Sequence, residues 1–109
     1  MAKYVMMFYG GGAMADTPEG QAAELQRWGV WYSGLGAGVV DGGKPTTGQA
    51  KMVAADGSVS DGTGGEVPSG YAIVEADSLD AATAMTNGCP ILLNNGKIAV
   101  YETFDIPGM

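Results

Sequence analysis

An aspartate at a glycine turn is the residue in this sequence whose type and setting best suit chemistry. Asp41 lies in "VVDGGKP", where an apolar segment ends and Gly42 and Gly43 follow. A carboxylate in such a place can orient a ligand hydroxyl, or act as a general base if it is partly buried. The alternative is ordinary turn chemistry, since Asp-Gly pairs are common in turns. Asp41 is therefore the candidate catalytic residue, and the two glycines are candidate ligand-binding residues.

Three aromatic residues precede this turn at helical spacing. Trp28, Trp31 and Tyr32 stand at positions i, i+3 and i+4, which share one face of a helix. Such a face can pack into a core, or it can form the aromatic wall of a small-molecule pocket. Both interpretations stay open, and they can hold for different rings. We take all three as candidate ligand-binding residues.

A second glycine-rich stretch, "DGTGGEVPSG", begins with Asp61 and Gly62. A nucleotide-binding phosphate loop needs a lysine and lies between a strand and the helix after it. This stretch has no lysine and comes before an apolar strand, so it is not a phosphate loop. It is a turn between antiparallel strands, or a turn that also forms a pocket rim. In the second case Asp61 and Gly62 bind ligand.

Composition excludes several classes of function. The formal net charge is −7, and the five cationic residues are dispersed, which argues against nucleic acid and anionic membranes as partners. The single cysteine, Cys89, excludes an intrachain disulfide and makes the cytoplasm the expected compartment. The chain has no histidine, and its carboxylates follow no metal-binding motif. We expect neither a metal nor a cofactor.

The 109 residues suit one domain. A loop is expected over residues 10–16. Thr17 is suited to cap a helix over about 18–35, with Pro18 at its first position and glycines at its end. A second helix begins near Asp77 or Ser78 and stops at Gly88. Val39 and Val40 enter a strand region that is interrupted at "DGGKP", and the strand proper is predicted near 49–55. The other strands are predicted over residues 3–9, 70–76 and 97–104.

The order strand, helix, strand, strand, helix, strand is typical of an α+β ferredoxin-like fold, with one antiparallel sheet and both helices on one face. The first strand, "KYVMMFY", is apolar on both of its alternating faces. One small domain should not expose so much apolar area. We therefore expect a second copy to pack sheet against sheet in a two-fold homodimer.

Several stretches, collinear along nearly the whole chain, resemble a known family. They are "KYVMMFYGG", "RWGVWYSGLGAGVVDGGKP", "VSDGTGG", "GYAIVEADSLDAATAM" and "IAVYETF". Together they resemble YCII-related proteins of the branch named for its DGPF motif. The resemblance implies a ferredoxin-like domain, a dimeric α+β barrel, and a cleft between helix and sheet in each subunit.

Some relatives are proposed enzymes that use a His–Asp pair on small acidic or lactone-like substrates. This sequence departs from that pattern at two points. Thr63 and Gly64 replace the proline and phenylalanine of the signature, and no histidine is present. A His–Asp pair is therefore not carried over.

Three hypotheses follow. The first is a binding domain that holds a small organic molecule, or a regulatory module that holds a protein partner. The second is a cofactor-independent isomerase, lyase or dehalogenase that uses Asp41. The third is a dimeric scaffold whose pocket has closed.

Overall fold

The computed structural model describes residues 1–11 and 16–109 and has an α+β architecture. Most of the loop expected over residues 10–16 lies outside the described residues. The strands are β1 (Ala2–Tyr9), β2 (Val39–Asp41), β3 (Lys51–Val53), β4 (Val59–Asp61), β5 (Gly70–Ala76) and β6 (Lys97–Glu102). The helices are α1 (Pro18–Leu35), α2 (Leu79–Ala84) and α3 (Pro90–Leu93).

Four strands form an antiparallel sheet in the order β2-β5-β1-β6. The central strand β1 pairs with β5 from Ala2↔Ala76 to Phe8↔Gly70. On its other side β1 pairs with β6 from Tyr4↔Glu102 to Tyr9↔Lys97. The strands predicted over residues 70–76 and 3–9 are both confirmed. They could be predicted because each is a mostly apolar run with turn residues at its end.

The sheet buries one face under the three helices. Side chains alternate along β1, so Tyr4, Met6 and Phe8 are buried on that face. The facing residues of β5 are small, and they leave room for Trp31 of α1 and Ile91 of α3 in the same apolar cluster. The opposite face of β1 is only half-buried.

The first helix is confirmed as predicted because its signals are local. The Thr17 hydroxyl accepts a hydrogen bond from the Gly20 N–H at 3.0 Å, and Pro18 occupies the first position. Gly36, with a φ of 57°, ends the helix and leads into a short 3-10 turn.

A strand lies within the segment predicted near 49–55, as β3, but it is not the second strand of the four-stranded sheet. The sheet strand in that part of the chain is β2, and residues 51–53 pair instead with β4 in a separate two-stranded hairpin. The hairpin closes locally: the Asp56 carboxylate accepts the Ser58 N–H at 2.9 Å, and Gly57 adopts a φ of 88°. A short local closure costs less chain entropy than pairing with a distant strand.

Two other boundaries differ from the sequence prediction. The second helix was predicted to stop at Gly88 but ends at Ala84, and Pro90 stands at the first position of the separate short helix α3. The last strand ends at Glu102, two residues before the predicted end. No helix in the described part of the chain is long and apolar enough to cross a bilayer.

Candidate functional site

A cleft with a volume of about 300 Å³ lies between α1 and the loop that follows β2. This volume is at the small end of the range typical of ligand pockets. Its lining residues are Phe8, Gln21, Glu24, Leu25, Trp28, Tyr32, Gly42, Gly43, Lys44, Pro45, Ser69 and Tyr71.

One face of α1 forms the first wall of the cleft. Gln21, Glu24, Leu25, Trp28 and Tyr32 recur at three- and four-residue spacing, so they align along this face. Leu25 is 68% exposed and lies at the cleft.

The aromatic rings of this wall pack against one another. Trp28 and Tyr32 are stacked, with centroids 6.0 Å apart and planes inclined by 29°. Phe8 from β1 meets Trp28 at 5.5 Å in a tilted arrangement. Because Phe8 is also buried in the core, it ties the position of the aromatic wall to the central strand.

The loop after β2 forms the second wall, and three contacts fix it. The Tyr32 hydroxyl donates a hydrogen bond to the Gly42 carbonyl at 2.8 Å, and the Gly43 N–H donates to the Asp41 carboxylate at 2.8 Å. Pro45 then bridges to Gly70 at the start of β5. The loop is therefore held both to α1 and to the sheet.

Gly43 packs very closely against β5. Its φ is 71°, and a Cβ atom built on it would lie 1.7 Å from the Tyr71 carbonyl oxygen. Real Cβ atoms do not come so near a backbone oxygen, so only glycine fits this position without moving β5 or the loop.

Tyr32 acts as a neutral hydrogen-bond donor. Burial raises the pKa of the Tyr32 phenol to about 12, and the charges of Cys89 and Asp41 add smaller contributions in the same direction. The phenol therefore keeps its proton throughout the physiological range and holds the Gly42 carbonyl.

Asp41 itself is exposed at the end of β2 and is not among the residues that line the cleft. One of its oxygens accepts the Gly43 N–H, which is the ordinary role of an aspartate in a turn. The partial burial that a general base would need at this position is absent. Gly42 and Gly43, by contrast, line the cleft as expected of candidate ligand-binding residues.

The three aromatic candidates separate into two groups. Trp28 and Tyr32 are half-buried and line the cleft. Trp31 is 7% exposed, belongs to the core, and donates its indole N–H to the Met85 carbonyl at 3.1 Å. Trp31 lies instead at a second, more open groove of about 730 Å³ between α1 and the α2–α3 segment, where Val30 and Leu93 also line the surface.

Asp61 and Gly62 lie at the end of the β3–β4 hairpin, and neither lines the cleft. Asp61 forms an ion pair with Lys51, and both side chains are mostly exposed. Gly62 has a φ of 74°, and its N–H donates to the Ala50 carbonyl at 2.8 Å. In the structure both residues lie at the open end of the hairpin, away from its turn.

Sequence reasoning missed Glu24 and Lys44 as cleft residues. The helical spacing of Glu24 to Trp28 was a usable signal, because both residues share one helix face. Lys44 directly follows the glycine turn, so its position was a signal as well. Tyr71 also lines the cleft, and its place there depends on how the loop after β2 packs on β5.

Neither a cysteine nucleophile nor a metal centre is found among the described residues. Burial raises the pKa of the Cys89 thiol to about 11, so the thiol stays protonated and is not a nucleophile. Among residues 1–11 and 16–109, no group of three or more histidine, cysteine, aspartate or glutamate side chains could hold a metal ion.

A comparison of the sequence with protein-family models finds no matching model, and a comparison with curated proteins finds no match. The resemblance to YCII-related proteins therefore stays a prediction.

We expect Gly43→Ala to destabilise the fold more than Gly48→Ala does. Both positions have positive φ, 71° and 90°, so both substitutions carry backbone strain of roughly 1–3 kcal/mol. Only the methyl group at position 43 meets the Tyr71 carbonyl, whereas position 48 faces open space. Urea unfolding followed by tryptophan fluorescence compares the two losses of free energy. Equal losses would contradict the close approach of Gly43 to β5.

Tyr32 should make stability fall at high pH. Its pKa is about 12 in the folded state against an ordinary value of 10.0, so the folded state keeps a proton that the unfolded state releases between these values. Stability is independent of this group below pH 10 and decreases as the pH rises from about 10 to 12. Tyr32→Phe removes this slope, and at neutral pH it costs about 0.5–1.5 kcal/mol through the lost hydrogen bond.

Absorbance at 295 nm during an alkaline titration measures the ionisation of Tyr32 directly. The phenol step near pH 12 should disappear in Tyr32→Phe and persist in Tyr101→Phe, which removes a ring elsewhere on the sheet. A titration curve in which Tyr32→Phe keeps that step would contradict the assignment.

Proposed function

We propose that this chain is a homodimeric domain that binds a small organic molecule in the cleft between α1 and the loop after β2. The observation that carries the proposal is the cleft of about 300 Å³, walled by the rings of Trp28 and Tyr32 and bounded by polar side chains. Ligand pockets are mostly apolar concavities with a few placed polar groups, and this cleft has that composition.

One polar group at the cleft is free to recognise a ligand. The Trp28 indole N–H makes no hydrogen bond to the described residues. This atom is not fully buried, since no side-chain polar atom in the described part is both buried and without a partner. A ligand with an acceptor near this group would gain a hydrogen bond as well as apolar contact.

Binding is better supported than catalysis. Asp41 is exposed, the chain has no histidine, and Cys89 is buried and protonated. The enzymatic alternative depends on Asp41, which lies two residues before Gly43 of the cleft. A bound molecule would have to reach a carboxylate that already accepts the Gly43 N–H. A protein-interaction or regulatory role is a further alternative, and the larger groove beside Trp31 is the surface that would suit it.

The ferredoxin-like topology is part of the proposal. Two sets of strand directions support it. Strand β5 lies between β1 and β2 and runs antiparallel to both, and strand β1 lies between β5 and β6 and runs antiparallel to both. We interpret these strand directions as two split βαβ units with the β3–β4 hairpin inserted between them. The same arrangement supports the resemblance to YCII-related proteins.

The homodimer is proposed from the second face of the sheet. Val5, Met7 and Ile73 lie there on adjacent strands, with Val5 opposite Ile73, and all three are only half-buried. Tyr71 and Tyr101 extend this apolar surface on the neighbouring positions. A second copy packed sheet against sheet would remove the surface from water.

We expect small aromatic compounds to bind in the cleft, and Leu25→Trp to block them. Saturation-transfer NMR with phenol, benzyl alcohol and indole provides the readout. Leu25 is exposed at the cleft, so a larger ring there should fill the space without disturbing the core and weaken binding about tenfold. Leu93→Trp is the matched control, because Leu93 is equally exposed but lines the other groove.

Two results would overturn the binding proposal. The first is no binding of any of these compounds to the wild-type protein. The second is binding that Leu93→Trp blocks and Leu25→Trp does not, which would move the ligand site to the larger groove.

The dimer is tested separately by light scattering after size exclusion. The wild-type protein should have twice the chain mass of 11.1 kDa. Ile73→Glu places a charge on the proposed interface and should give the single-chain mass, whereas Val59→Glu on the exposed hairpin should leave the dimer intact. A wild-type monomer would contradict the proposal.

A further inference from the structure

The cleft contains a carboxylate that has no partner among residues 1–11 and 16–109. Glu24 is half-buried on α1 and lines the cleft beside Trp28. The ion pairs found among the described residues are Lys51–Asp61 and Lys97–Glu66, so Glu24 takes part in neither. A partly desolvated charge beside apolar rings gains most from a ligand that supplies the opposite charge.

The aromatic walls of the cleft favour the same kind of ligand. A cation near the face of a tryptophan or tyrosine ring is attracted by the ring's electron density. Within the described part of the chain, the one cation–ring contact is Lys97 over Tyr9, at 5.9 Å, which lies outside the cleft. The rings of Trp28 and Tyr32 are therefore not occupied by a cation of the protein itself.

Lys44 is the one positive charge among the residues that line the cleft. It is exposed and belongs to the loop, so its ammonium group can remain in water, whereas Glu24 is held on a helix and is less exposed. Asp41, next to the loop, adds negative charge close to Tyr32. Together with the net charge of −7, these groups give the cleft a field that attracts cations.

We infer that the cleft takes a small organic cation, with its ammonium group beside Glu24 and its apolar body against Trp28 and Tyr32. The inference rests on the proposed binding function and names the chemical class of its ligand. It involves no reaction, only recognition of positive charge by one carboxylate and two rings.

Three probes that share one ring but differ in charge test the inference. They are benzylamine, benzyl alcohol and benzoate, titrated at pH 7 and low salt with tryptophan fluorescence as the readout. Benzylamine should bind about fivefold or more tightly than benzyl alcohol, and benzoate should be the weakest. The advantage of benzylamine should shrink at 0.5 M salt, because screening weakens an exposed charge interaction.

Glu24→Gln should lower benzylamine affinity about five- to tenfold and leave benzyl alcohol binding unchanged. Glu102→Gln is the matched control, since it removes the same charge from an exposed position on β6 and should retain wild-type affinities. Lys44→Gln offers a second test at the cleft, and it should strengthen benzylamine binding or leave it unchanged.

The outcomes separate this inference from the proposed function. If the three probes bind equally well, or if benzoate binds best and Lys44→Gln weakens it, the cation inference is overturned while ligand binding in the cleft stands. If none of the three binds, the proposed function itself is overturned.

Discussion

The alternation of side chains along β1 is the constraint on which the rest of the structure depends. This strand is hydrogen-bonded on both sides, so its register fixes which residues point to each face of the sheet. Tyr4, Met6 and Phe8 then have to be covered by helices, and Val5 and Met7 are left on the other face. A slip of one residue would exchange the two sets. Both the core and the proposed dimer surface follow from this single register.

One helix serves the core and both concave surfaces. Successive residues of α1 turn by about 100°, so residues close in sequence face different surroundings. Trp31 enters the core, while Trp28 and Tyr32 face the cleft and Val30 lines the groove. Phe8 of the central strand packs on both Trp28 and Trp31, so it connects the wall of the cleft to the core. The shape of the cleft is therefore tied to the stability of the core.

The sequence predicted most where structure is decided locally. The bounds of α1 follow from Thr17, Pro18 and the closing glycine, and β5 follows from an uninterrupted apolar run. The second sheet strand was misplaced, because the choice between residues 39–41 and 51–53 depends on which segment reaches β5. Nothing in a local window carries that information.

The residues of the candidate site were likewise predicted only where local sequence determines their position. Gly42, Gly43, Trp28 and Tyr32 line the cleft because the turn and the helix meet there. Tyr71 joins them only through the packing of the loop on β5. Asp61 was predicted as a turn residue or part of a pocket rim, yet its position is set by the hairpin, where it pairs with Lys51 at the open end.

The hairpin has a consequence for how this chain can change over evolutionary time. Every residue from 51 to 61 is exposed, so substitutions there alter neither the buried cluster nor the lining of the cleft. Selection for folding is weakest in such a segment. Its sequence can therefore change while the sequence of the buried segments stays constrained. Kinship with other chains would then be hardest to recognise along this hairpin, and easiest to recognise in the buried strands.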